Sequence, residues 1–253
     1  MDVLDLFSGI GGFSLGLERC GHKTICFCEY DDHAQSILKK HWPETQIIKD
    51  VKDVGKDTIT KSPSIITGGF PCQDLSSAGK QAGIEKGERS GLWGEMHRII
   101  GEFRPRYVIV ENVPNLLRGE RGSWFSKLLK DLSTIGYDAQ WHCISVADIG
   151  GATERERVWI IAYPSQVGWA LSQEIYNKIS NKVRACRTSI KVLSLLSCVK
   201  QVQFEDIPKD HRKLDGISEA VDVCERIGNT VHPKIVQIIG ESINESDHLF
   251  YEK

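Results

Sequence analysis

Apolar and polar positions follow two alternating rhythms along the first two thirds of the chain. Short apolar runs at Val3-Leu4-Asp5-Leu6-Phe7, Lys23 to Cys28, Gln46 to Ile48, Ser64 to Thr67 and Tyr107 to Val110 read as strands. Between them, apolar residues recur at helical spacing over Phe13 to Cys20, Asp32 to about His41, Leu92 to Phe103 and Trp124 to Ile135. Asp31-Asp32 suits a helix cap, because a short carboxylate can accept from the free N–H groups of a first turn. This order implies an α/β fold built on a mostly parallel, doubly wound sheet. Two further strands are expected at Gln140 to Ser145 and Val158 to Ala162. The polar stretch from Asp148 to Arg157 is too short for a crossover helix, so these two should pair antiparallel and the last strand should run against the rest.

The rhythm weakens after Tyr163-Pro164 and returns as a helix over Pro233 to Ile243. Residues 1–163 and 222–253 therefore read as one domain, with 164–221 as a small separate module. In that module, Lys178, Lys182, Arg184, Arg187, Lys191 and Lys200 occur with no acidic residue between Lys178 and Lys200. Such a stretch suits phosphate contact, which carries affinity rather than sequence information, or else a solvated face.

Composition changes this picture little. The 253 residues carry a formal net charge of -2, which gives no whole-chain sign of nucleic-acid binding. Eight cysteines occur without a C-x-x-C pair, so no metal site is expected. The N-terminus lacks a signal-peptide pattern, and no apolar run approaches the ~18 residues of a membrane span. Free thiols and a reducing, cytoplasmic setting are the plain expectation.

Three strand ends carry candidate chemistry. Glycines 9, 11 and 12 follow the first strand and precede a helix, where backbone can approach a ligand closely. The spacing is not that of a dinucleotide fingerprint, so a diphosphate ligand is not indicated. Glu29 ends the second strand, where a carboxylate can hold ribose hydroxyls, and Asp50 ends the third, where it can accept from an adenine amino group. Gly68-Gly69-Phe70-Pro71 turns the chain sharply after the fourth strand and presents Cys72. Alone, such a cysteine is more often a small buried hydrophobe than a nucleophile. Glu111 should neighbour that turn, just after the fifth strand. Arg155 and Arg157, two apart, should share a strand face.

Asp5-Leu6-Phe7-Ser8-Gly9-Ile10-Gly11-Gly12-Phe13, Gly69-Phe70-Pro71-Cys72-Gln73, Glu111-Asn112-Val113, Arg155-Glu156-Arg157-Val158 and Gly228-Asn229-Thr230-Val231 occur in that order. The chain thereby closely resembles the C5-cytosine DNA methyltransferases over about 1–163 and 222–253. The resemblance implies a Rossmann-like domain that binds S-adenosylmethionine, and a monomer acting on double-stranded DNA in a bacterial or phage-infected cell. It implies that Phe7, Gly9, Gly11, Glu29, Tyr30, Asp50, Val51, Pro71, Asn229 and Val231 form the cofactor site, with Tyr30 against the adenine. It implies Cys72 as the nucleophile that adds to cytosine C6, Glu111 as the group at N3, and Arg155 and Arg157 as arginines at the base. The target carbon cannot be reached in a stacked duplex, so the base is expected to flip into the site. Gln73, Ser76 and Lys80 fall in a glycine-rich loop expected to close over DNA, and Lys182, Arg184 and Arg187 are the expected phosphate contacts of the small module.

The sequence departs from the family where Ala152 and Thr153 replace the usual Pro-Gln pair before the arginines. Transfer RNA is an alternative substrate, but the Cys-Phe-Thr signature of those relatives is absent. A silent DNA-binding homologue is disfavoured by retention of Cys72, Glu111, Arg155 and Arg157 together, and a nicotinamide dehydrogenase by the glycine spacing.

Overall fold

Every second residue of the first strand faces the same layer, and this alternation builds the molecule. In the computed structural model, which describes residues 1–71, 91–151, 153–196 and 231–250, the strands are β1 (Asp2–Leu6), β2 (Lys23–Cys28), β3 (Gln46–Ile48), β4 (Ile65–Gly68), β5 (Tyr107–Asn112), β6 (Tyr137–Ser145) and β7 (Glu156–Pro164). They form one sheet in the order β3-β2-β1-β4-β5-β7-β6. The first five pair in parallel, β7 runs antiparallel to β5, and β6 pairs antiparallel with β7, as the short polar connection requires.

Leu4 and Leu6 of β1 pack with Ile66, Val108, Val110 and Ile160 on one face of the sheet, under α3 (Leu92–Phe103) and α5 (Ser123–Thr134). Val3, Ile65, Tyr107, Ile109 and Ile161 point to the other face, under α1 (Gly12–Glu18), α6 (Trp169–Leu196) and α7 (Pro233–Ser246). The remaining helices are α2 (Asp32–His41), capped by Asp31 accepting from the Ala34 N–H, and the single turn α4 (Asn115–Arg118). α1 and α7 meet at close range: a Cβ on Gly16 would lie 2.5 Å from both Pro233 O and Val236 Cβ.

Two strand boundaries beside the candidate chemistry differ from the sequence expectation. Glu111 and Asn112 lie on β5 itself, paired with Trp159 and Val158, rather than beyond its end. β7 begins at Glu156, so Arg157 is a strand residue. In both cases charged residues at strand ends conceal ladder pairing that extends past the apolar run.

The segment after Pro164 is described as far as residue 196. It opens as a 28-residue helix, α6, and its apolar line Leu171, Ile175, Ile179 and Val183 is buried in the same core as β7 and α7. Each such side chain contributes roughly 1.5–3 kcal/mol. The i, i+4 line is a single residue wide and is flanked by Ser, Asn and Lys, which explains its weak period in the sequence. Residues 197–230 lie outside the described residues.

Candidate active site

The carboxyl ends of the parallel strands converge, and ligands in open α/β sheets bind at that edge. At the end of β1 the chain reverses within a few residues. Phe7 adopts φ 54°, a left-handed conformation that costs a non-glycine residue energy and is held by its surroundings. Ser8 pins the turn: its N–H donates to Cys28 O at 3.1 Å and its Oγ to Asp5 O at 2.6 Å. The Gly11 N–H donates back to Ser8 O at 2.9 Å. Gly9 (φ 53°) has open space where a side chain would stand, whereas a Cβ on Gly11 would meet the Trp42 ring at 2.7 Å. The sequence reading passed over Trp42, which supports this loop from below. Its Nε1–H donates to the Glu18 carboxylate at 2.9 Å, and its ring meets Phe27 edge-on at 5.3 Å.

Glu29, at the end of β2, ties the glycine loop to its neighbour. One oxygen accepts from the Gly9 N–H at 2.7 Å and the other from the Asp31 N–H at 2.8 Å. Tyr30 follows with its ring 73% exposed and Lys49 Nζ 5.6 Å from the ring centroid. Asp50 leaves β3 and accepts from the Lys52 N–H at 3.0 Å through Oδ1, and Val51 begins the next short turn. The structure thus brings Phe7, Gly9, Gly11, Glu29, Tyr30, Asp50 and Val51 to three adjacent strand ends.

Behind the loop lies a polar junction that the sequence analysis did not single out. Asp5 is fully buried and accepts from Ser14 Oγ on α1 and Thr67 Oγ1 on β4, each at 2.7 Å. Burial pushes its carboxyl up to about 7, against the lowering pull of both hydroxyls. The strand that leads to the Pro71 turn is thereby tied to the helix that follows the glycine loop.

Glu111 stands on the next strand over. Its Oε1 lies 3.0 Å from Arg157 Nε and 3.6 Å from Arg155 Nη2, so both arginines do share one face. Burial raises the Glu111 carboxyl above the usual carboxylate range, and the two guanidinium groups only partly oppose this. Of its two oxygens, Oε1 is the one that faces both guanidinium groups. A Cβ on Gly69 would lie 3.4 Å from Glu111 Oε2 and 3.9 Å from Val231 Cγ2. Asn112 Nδ2 donates to Phe70 O at 3.3 Å, fixing the turn up to Pro71 against β5. Cys72, Gln73, Ser76, Lys80 and Asn229 lie outside the described residues. Cys26 and Cys28 are poor nucleophiles, because burial pushes both thiols up to about 12.

The three basic residues assigned to phosphate contact lie on α6. Lys182 pairs with Glu241 (3.1 Å) and Glu245 (2.7 Å) of α7, and Arg187 with Asp148 (2.8 Å), while Arg184 is exposed. Lys178 likewise pairs with Glu174 at 2.5 Å. The acidic partners of Lys182 and Arg187 come from distant parts of the chain, where a local charge count does not find them.

The C-5 cytosine-specific DNA methylase profile matches residues 1–215. The chain belongs to this family. Among similar proteins, the Type II methyltransferase M2.BsuMI of Bacillus subtilis is 39% identical over 166 residues, covering 64% of this chain and 42% of that protein. The Type II methyltransferase M.HhaI of Haemophilus parahaemolyticus is 32% identical over 160 residues, covering 63% and 48%. The chain therefore spans less than half the length of these two relatives. A prophage-encoded chain of E. coli, assigned as a DNA modification methyltransferase, superposes with TM-score 0.56 at 27% identity over 66% of this chain and 47% of that one. Spodoptera frugiperda DNMT2, at 20% identity and TM-score 0.55, supports the fold alone. Within the family frame, the sheet edge just described is the candidate active site. Among the described residues, no group of three or more His, Cys, Asp or Glu is placed to hold a metal ion.

Proposed function

We propose that this chain transfers a methyl group from S-adenosylmethionine to C5 of cytosine in double-stranded DNA. The observation that carries the reading is Glu111, buried at the end of β5 between two arginines and against the turn that leads to Cys72. The cofactor fits the residues present. Gly9 has open space where a side chain would stand, Tyr30 is exposed after the second strand, and acceptors from Glu29 and Asp50 follow the two neighbouring strands. Glu29 would hold the ribose, and Asp50 with the Val51 backbone the adenine edge. When bound, S-adenosylmethionine supplies a methyl group on an electrophilic sulfonium.

The chain's own residues account for the rest. Cytosine C5 is a poor nucleophile until a group adds at C6, and we assign that addition to the Cys72 thiolate. The positive charge of Arg155 would favour the thiolate over the thiol. Glu111 retains a proton more readily than an exposed carboxyl, so it can donate to N3 as the adduct forms and stabilise the enamine. Arg157 and Arg155 hold Glu111 in one orientation and add positive charge beside the base. Loss of the C5 proton then expels Cys72.

Expression in a host lacking its own cytosine-5 methylation, followed by cytosine-conversion sequencing of plasmid DNA, tests the reading. Protected cytosines in one short context, absent with Cys72→Ala, are the expected result. No protection by soluble wild-type protein, or protection persisting in Cys72→Ala, refutes it.

A further inference from the structure

One exposed arginine on α3 holds the segment that follows Asp50. Arg98 Nη2 donates to Val54 O at 2.9 Å and to Val51 O at 3.3 Å. Its Nε donates to Glu95 Oε2 at 2.8 Å and its Nη1 to Glu102 Oε2 at 3.1 Å, so two carboxylates aim the fork. Glu102 reaches the same segment directly, with Oε1 accepting from the Lys56 N–H at 2.6 Å. Within the segment, the Asp53 N–H donates to Asp50 O at 3.0 Å and the Val54 N–H to Val51 O at 3.3 Å. One guanidinium thus closes a turn whose first residue is Asp50.

Two features separate this from ordinary surface pairing. The Arg98 side chain is 40% exposed, and exposed ion pairs stabilise folds weakly. Yet its donors are spent on two backbone carbonyls of one turn as well as on carboxylates, a pattern that the rigid guanidinium fork serves and an ammonium does not. What the arrangement controls is the position of the turn.

We propose that Arg98 is a positioning residue for adenine recognition, setting Asp50 and the Val51 backbone at hydrogen-bonding range of the base edge. The proposal rests on the reading of Asp50 and Val51 as the adenine site. Displacing a positioned hydrogen-bond partner leaves the group it reads unpaired and costs affinity for that group.

The test compares binding of S-adenosylhomocysteine with that of its deaminated inosyl analogue, by titration calorimetry on the full chain. Wild type should prefer the adenosyl compound about tenfold or more, as a site built around a substrate N–H rejects an analogue lacking it. Arg98→Ala should lose most of that preference, with KM for S-adenosylmethionine rising by a similar factor, kcat within about twofold and a nearly unchanged melting temperature. Arg98→Lys should fall between, which keeps the test informative if the alanine variant folds poorly. Equal weakening of both compounds, or an intact preference in Arg98→Ala, overturns the proposal. Asp50→Ala separates the two levels: if it loses the preference while Arg98→Ala keeps it, only the role of Arg98 fails. If wild type shows no preference, or Asp50→Ala retains it, the adenine-site reading fails and the role of Arg98 with it.

Discussion

Asp5→Asn should change how stability depends on pH, because the carboxyl is fully buried and titrates near neutrality. Its folded value lies at about 7 against 3.8 for the free side chain, and burial is the dominant cause. A raised carboxyl favours folding while it holds its proton. That stability is fully present below 3.8 and is lost as pH rises through about 7. At ~1.4 kcal/mol per pH unit, the full span amounts to about 4 kcal/mol, and the part accessible between pH 5 and 8 to about 2.5 kcal/mol. Asparagine is close in shape. Its oxygen can still accept from Ser14 or Thr67, its amide can donate to the other hydroxyl, and it does not titrate. Urea unfolding of both proteins at several pH values gives the difference in stability at each, and groups common to both cancel. The difference should move by about 2.5 kcal/mol in favour of Asn as pH rises from 5 to 8. A difference that stays constant within about 0.5 kcal/mol would show that Asp5 does not carry its charge change in that range, and the account of the buried junction would fall.

Other outcomes follow from the same geometry. Glu111→Gln should lower kcat by roughly 10²–10⁴ with cofactor affinity nearly unchanged, read by single-turnover methylation and cofactor titration. Gly16→Ala should destabilise the fold by about 1–3 kcal/mol in urea, because the new methyl group would press on Pro233 O and Val236 where α1 meets α7. If Lys182 and Arg187 contact phosphate, neutralising each should lower the slope of log affinity for DNA against log salt by about 0.9. An unchanged slope would leave them as ties from α6 to α7 and to Asp148.

What the sequence conveyed was whatever depends on neighbours along the chain. The strand and helix order, the antiparallel last pair and the glycine loop all follow from local period, turn residues and connection length, and the sheet has them. The strand ends at Glu29 and Asp50 follow from the same logic, since a polar residue closing an apolar run marks the sheet edge. What escaped depends on residues far apart in sequence. Lys182 looks unpaired until α7 folds against α6 and brings Glu241 and Glu245 to it. Trp42 looks like an ordinary helix-end aromatic until Gly11 approaches within contact of its ring. Asp5 looks like a break in an apolar strand, although it is the point where α1 and β4 are joined. Each of these is a polar or aromatic group whose partner lies at least nine residues away, and a hydrophobic pattern carries no signal for such pairing. The same reasoning explains why β5 ran past its expected end. Glu111 interrupts the apolar run, yet ladder pairing with Trp159, Arg157 on β7 and Arg155 just before it make a buried carboxyl tolerable there. A carboxyl kept inside at that cost, beside the turn that leads to Cys72, is better explained by chemistry than by stability, since an apolar residue would fill the position with less penalty.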